Sequence, residues 1–158
     1  GPLGMSNTCW FLSEMNRTKH AKIYKFNSKE NKLNEIQLYG LTTYPDGGLR
    51  TSVNDLTKYF LYFIKKNSSK KEKIISDEKI IEMFSPDYFD FYSKFWNIGK
   101  TIGHGGGDPG VSTGMFYIKE DDIGYIFFIN TSNYLKIEKL ENTIINFGKY
   151  LKGLSEKN

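Results

Sequence analysis

Few side chains in this sequence exchange protons or bind soft metals near neutral pH: His20, His104 and Cys9. Only His104 lies in a setting suited to contact, the run Gly103-His104-Gly105-Gly106-Gly107-Asp108-Pro109-Gly110. Glycine lets a ligand or a second backbone come close, so an imidazole among glycines marks a surface where bare main chain can meet a partner. Clustered glycines are also ordinary turn punctuation. The soft ligands share no metal-binding spacing, so no metal site is expected, nor any organic cofactor. Gly105, Gly107 and Gly110 fit Gly-x-Gly-x-x-Gly. The dinucleotide fingerprint, however, needs a strand before and a helix after, whereas here a strand follows and Pro109 intervenes.

A serine nucleophile needs an activating base. Ser68 to Lys71 and Ser76 to Lys79 each have Ser-x-x-Lys spacing, which sets a lysine one helical turn from a serine. With 12 serines and 20 lysines in 158 residues, such matches arise by chance. The first falls in a polar loop. In the second, the serine reads as a helix N-cap whose lysine points to water, and no apolar helix is available to bury and tune either amine.

The size is that of one domain, and 39% hydrophobic with 25% charged residues is the composition of a globular protein. A formal charge of +4 is spread among 18 acidic residues, too weak a field to imply nucleic acid. The densest basic stretch, Lys65, Lys66, Lys70, Lys71 and Lys73, reads as a solvated helix-end loop. A single cysteine excludes an internal disulfide and leaves the compartment open. No window reaches the length of a membrane span. Gly1-Pro2-Leu3-Gly4 looks like the remnant of a cleaved purification tag, leaving 5–158 as one domain.

The elements that must position His104 follow from periodicity. Ala21 to Phe26 and Ile36 to Tyr39 predict a hairpin with a long loop over Asn27 to Lys32. Ser52 is an N-cap for a helix burying Val53, Leu56, Phe60, Phe63 and Ile64 and ending near Asn67. Asp55, three places after Ser52, completes a capping-box spacing. Ser76-Asp77-Glu78 opens a short helix with Ile80, Met83 and Phe84 inward, ended by Pro86. The aromatic segment Tyr88 to Trp96 reads as core rather than as a pocket lining. Thr113 to Lys119 and Ile123 to Asn130 form an antiparallel hairpin around Glu120-Asp121-Asp122, the second strand buried on both faces. A terminal helix buries Ile137, Leu140, Ile144, Phe147 and Leu151, with Gly153 as its C-cap.

Taken in order, Tyr44-Pro45-Asp46-Gly47-Gly48-Leu49-Arg50-Thr51-Ser52 with Asp55-Leu56, then Gly103 to Thr113, Ile123-Gly124 and Asn130, resemble the C-terminal half of the serine β-lactamase-like hydrolases. That group includes class C β-lactamases, penicillin-binding proteins, esterases and D-aminopeptidases. The match runs over most of the chain from Met5, and Pro2 to Thr8 also resembles the segment that ends a helix before this region. The resemblance makes His104-Gly105-Gly106 the third family motif, the Lys-Thr-Gly or His-x-Gly triplet on an edge strand. It implies a catalytic part for His104, substrate binding by Gly105, Gly106 and Gly107, and an oxyanion donor in the Gly107 N–H. Where true β-lactamases have lysine and threonine, this sequence has His104 and Gly105, which fits the esterase and peptidase members better. Ser-x-x-Lys and Tyr-x-Asn in family positions are absent, so the chain alone is expected to be inactive, its missing N-terminal half carrying the nucleophile.

The expected fold is therefore α/β of the α+β type, a partial β-lactamase/transpeptidase-like fold. A three-stranded antiparallel meander from about Lys100 to Asn130, plus the extra hairpin, packs against helices. Its last strand, Ile123 to Ile129, is left as an exposed apolar edge that invites a homodimer or the missing half. The expected ligand is a small-molecule or peptide substrate, with no nucleic acid as partner. The resemblance implies a bacterial periplasmic or extracellular setting. The alternative function is a non-catalytic peptide-binding module or pseudoenzyme that captures an extended peptide on the glycine-lined edge.

Overall fold

The computed structural model describes residues 1–65, 73–86, 89–132 and 137–157. Most of the basic stretch (Lys66, Lys70 and Lys71), the Ser68 to Lys71 spacing, the expected helix end at Asn67, and Tyr88 lie outside them. Among the described residues the architecture is the expected mixed α/β one, with two antiparallel sheets and three α-helices.

After a short 3-10 turn at Arg17–Lys19, β1 (Ile23–Asn27) and β2 (Lys32–Ile36) form the hairpin, in the register Ile23 opposite Ile36. Its second strand begins at Lys32, where the sequence had predicted loop. The Asn27 side chain accepts the Lys29 amide at 3.1 Å and Asn31 adopts a left-handed φ of 49°, so the polar stretch folds into a tight turn. Helix α1 (Val53–Ile64) is capped as expected, with Ser52 Oγ accepting from the Asp55 amide, but it stops at Ile64. Helix α2 (Asp77–Met83) starts at Ser76, whose Oγ accepts from the Lys79 amide, while Lys79 Nζ pairs with Glu82 at the surface. That serine-lysine spacing is thus a helix cap.

The main sheet is a five-stranded antiparallel meander, β3 (Tyr92–Ser93), β4 (Trp96–Ile98), β5 (Thr101–Asp108), β6 (Val111–Ile118) and β7 (Ile123–Ile129), in sequence order. It is larger than the predicted three strands because the aromatic segment adds a hairpin. That segment is not core as predicted. Among its described residues only Trp96 (1% exposed) and Ser93 turn inward, and a hairpin this short buries one face, leaving Phe89, Phe91 and Phe95 in solvent.

Alternation along the strands sends side chains to two different helices. One face carries Ile102, Met115, Tyr117 and Ile126 against Phe60 and Phe63 of α1, with Trp96 at the centre. Burial of Tyr59 in this cluster pushes its hydroxyl pKa up. The other face carries Ile123 and Phe127 against α3 (Ile137–Ser155), which comes so close that a Cβ on Gly148 would lie 3.1 Å from Ile123. Strand β7 is not buried on both faces as predicted, since Phe128 lies outside the α1 cluster and is 39% exposed. Helix α3 departs from its prediction twice. Gly153 is within the helix, and Leu140, Phe147 and Leu151 are exposed while Ile144 and Ile145 are half-buried and Gly148 lies against Ile123.

Two charged side chains tie the N-terminal segment to this core. Asp55 is buried, and its carboxylate, which does not cap α1, pairs with Lys58 at 2.9 Å and accepts from the Asn7 amide and Thr8 Oγ1. Arg50 donates to the carbonyls of Trp10 and Gly48 at 2.9 and 2.7 Å and also to that of Tyr39, while its backbone bridges Cys9 in both directions.

The packing sets two expected outcomes. Trp96→Ala costs about 3–5 kcal/mol by urea unfolding. Gly103→Ala, whose Cβ would lie 2.2 Å from the Met115 carbonyl oxygen, costs about 3 kcal/mol or more, whereas Gly105→Ala, with 3.7 Å to Phe116, stays within about 1 kcal/mol of wild type. The Lys58 hydrogen bond, with the Asn7 and Thr8 donors, holds the Asp55 carboxyl below its ordinary value against the opposing effect of burial. A depressed folded-state pKa means that the tie is present above the ordinary aspartate range and is lost as pH falls through the folded value. In NMR the Asn7 amide therefore shifts only at pH below the usual aspartate value of about 3.9, and Asp55→Asn removes that step.

Candidate active-site edge

Strand β5 is bonded on both sides only in its first half. On one side β6 pairs with all of it, from Thr101 opposite Ile118 to Asp108 opposite Val111. On the other, β4 reaches only Ile102 and Gly103. From His104 to Asp108 the outer side has no strand partner among the described residues. In an antiparallel ladder, residues alternate between those that exchange hydrogen bonds with the neighbour and those whose N–H and C=O point the other way. The Lys119 amide donates to the Lys100 carbonyl, which makes even-numbered positions of β5 the ones bonded to β6. The amides and carbonyls of Gly105 and Gly107 are therefore directed outward along the open edge.

The four predicted site residues are brought together on this one strand. The glycine run, which by composition reads as loop, is extended because the ladder with β6 satisfies every second residue. His104 shares a face with Met115, on the α1 side, but sits at the sheet margin with its imidazole exposed, and its ring neighbour is Tyr92 at 6.5 Å between centroids. The strand's far end is braced. Pro109 and Gly110 turn the chain, Gly110 at φ 77°, and a Cβ there would lie 2.9 Å from Ile36 and 3.1 Å from Ile23. Tyr39 Oη donates to the Pro109 carbonyl at 2.7 Å, and burial together with the Asp108 carboxylate raises its pKa. The β1–β2 hairpin is thus clamped onto the tip of the β5–β6 hairpin.

On the α3 side, alternate glycines leave a cleft of about 410 Å³ lined by Gly105, Gly107, Ser112, Phe116, Phe127 and Glu141. Tyr125 Oη donates to Glu141 at 3.3 Å beside it, and burial, then the Glu141 charge, push the tyrosine to about 12. A signal for this cleft was present in the sequence as glycines two apart at 103, 105 and 107. The signal for Tyr92 was not, because its approach to His104 depends on the β3–β4 hairpin.

Near this edge Ser112 is buried with its hydroxyl donating to the Thr131 carbonyl at 3.0 Å, and Ser93 is buried with its hydroxyl on the Ser85 carbonyl. Both are structural. Among the described residues no group of three or more His, Cys, Asp or Glu side chains could hold a metal ion.

The Beta-lactamase family model matches residues 1–147. Among solved structures, the octameric penicillin-binding protein homologue from Pyrococcus abyssi is 30% identical over 84% of this chain and 32% of its own, with a TM-score of 0.65. The penicillin binding protein from Bacillus halodurans is 17% identical over 89% of this chain and 46% of its own, with a TM-score of 0.66, a likeness of fold. The chain thus spans about a third of one and under half of the other. No curated protein sequence matches it significantly. With the fold, the glycine-rich edge strand and a family match over nearly its whole length, this chain belongs to the beta-lactamase family.

Proposed function

We propose that the chain is the C-terminal, substrate-holding portion of a serine hydrolase that cleaves an ester, amide, peptide or β-lactam through an acyl-enzyme. The observation that carries this is the unpaired margin of β5, where Gly105 and Gly107 turn their amides outward beside an exposed His104. An extended substrate laid on this margin pairs with those amides and carbonyls as an added strand. A serine hydroxyl from polypeptide outside this chain attacks the carbonyl. The Gly107 N–H steadies the resulting oxyanion, the leaving group departs with a proton, and water then releases the acyl group. In this reading the His104 imidazole hydrogen-bonds the groups that pass that proton. A second reading, supported by the cap role of Ser76 and the structural roles of Ser93 and Ser112, is a pseudoenzyme that captures peptides on the same edge without cleaving them.

We also propose that β7 and α3 form an association surface. Among the described residues the outer side of β7 meets chain near its end alone, where Tyr24 bridges to Thr131 and Lys22 accepts from Asn130, and exposed Phe147, Tyr150, Leu151 and Leu154 lie on α3. The octameric state of the Pyrococcus abyssi homologue supports assembly in this fold.

Benzylpenicillin titrated into the isotope-labelled chain is expected to shift the Gly105, Gly106 and Gly107 amides while the protein mass stays unchanged. Gly107→Pro, which removes an outward N–H without touching the β6 ladder, should weaken this binding at least about tenfold. A covalent penicillin adduct would refute dependence on an outside nucleophile, and unmoved glycine amides would refute the substrate edge. In light scattering at high concentration, self-association is expected and Phe128→Lys should reduce it. A monomeric mass throughout contradicts the association surface.

A further inference from the structure

We propose that a cavity between the N-terminal segment and the turn before α1 binds a small monocarboxylate with a flat apolar body, of benzoate size. The cavity has a volume of about 120 Å³, and its walls include Trp10, Phe11, Leu41, Tyr44, Gly48 and Arg50. It shares no lining residue with the cleft beside β5, so the site stands whether or not β5 holds a substrate. Its size suits a single ring, since an apolar cavity of about 150 Å³ takes up benzene.

Arg50 gives the site its sign. Its terminal nitrogens donate to the carbonyls of Trp10, Gly48 and Tyr39, but its Nε–H is buried without a partner, and no carboxylate pairs with it among the described residues. A buried donor without an acceptor costs free energy, and neutral carbonyls leave the guanidinium charge uncompensated. One carboxylate oxygen at Nε relieves both. The walls set the rest of the ligand. Trp10 meets Tyr44 edge-on at 5.0 Å between ring centroids, and Phe11 meets Tyr44 at 5.2 Å, so three rings surround a flat apolar body. A strongly hydrated anion such as phosphate would give up water here for a single free donor. The site is also fixed beforehand, because the Cys9 and Arg50 backbones bond each other in both directions at 2.9 Å, and a preformed site binds with little ordering cost.

The test titrates benzoate, acetate and benzyl alcohol separately into the whole isotope-labelled chain by NMR at neutral pH. Benzoate is expected to move the Trp10 indole N–H and to shift the Arg50 Nε–H downfield, as a charge-assisted hydrogen bond does. Acetate, which lacks the ring, and benzyl alcohol, which lacks the charge, should each bind at least about tenfold more weakly. Phe11→Ser alters a half-exposed side chain, so the fold should persist, while benzoate affinity falls at least about threefold. An Arg50 Nε–H unmoved by benzoate overturns the site, as does benzyl alcohol or acetate bound as tightly as benzoate, or an unchanged affinity in Phe11→Ser. Benzoate shifts confined to the Gly105 and Gly107 amides would seat the acid on the β5 edge, overturning the cavity site and leaving the substrate edge intact.

Discussion

A strand bonded to a neighbour on one side must turn half of its backbone groups away from it, and in the second half of β5 that geometry meets no further strand among the described residues. The candidate site follows from this one constraint. Outward polar backbone is tolerated only where water or a ligand can satisfy it. The edge must also stay straight and in register, so the opposite side has to be fixed. The unbroken pairing with β6 does this, and the β1–β2 hairpin holds the far turn through Gly110, Tyr39 and Pro109. Side chains at Gly103 and Gly114 would collide with Met115, Phe116 and Phe127, so their absence lets the sheet close beneath the margin.

The rest of the molecule supports that sheet from both faces. Trp96 with Phe60 and Phe63 fills the space toward α1, while α3 approaches through Gly148 and leaves the cleft beneath the glycines. Asp55 and Arg50 hold the first residues of the chain against α1 and the turn before it. Charged groups here act as fasteners for backbone that has no regular partner. The Asp55 carboxylate satisfies the Asn7 amide, which would otherwise be left unpaired on removal from water, and joins the hydroxyl pair of Thr8 and Thr51.

Much of this was legible in the sequence, and the limits are physical. Helix starts at Ser52 and Ser76 were readable because a short polar side chain before an apolar periodic run has one good use, to accept an orphan amide. The β6–β7 hairpin was readable from its two apolar runs around an acidic turn. The family resemblance pointed to His104 and the three glycines, and the fold places them on one strand. The aromatic segment was misread because composition cannot tell a ring that packs from one that is displayed. Trp96 and Phe95 are adjacent, and only the hairpin's orientation separates the buried one from the exposed one. The outward face of α3 was misread similarly, since periodicity finds an apolar stripe without saying which side the sheet lies on. The direction of each glycine amide depends on register, which no residue type encodes.

Amide hydrogen exchange along β5 tests that register most directly. The account predicts an alternating pattern in the free protein, with His104 and Gly106 protected by β6 and Gly105 and Gly107 exchanging close to the rate of open chain. Equal protection at all four positions, or protection of Gly105 and Gly107 above their neighbours, would mean that the margin is already occupied or the register is shifted, and would contradict the account.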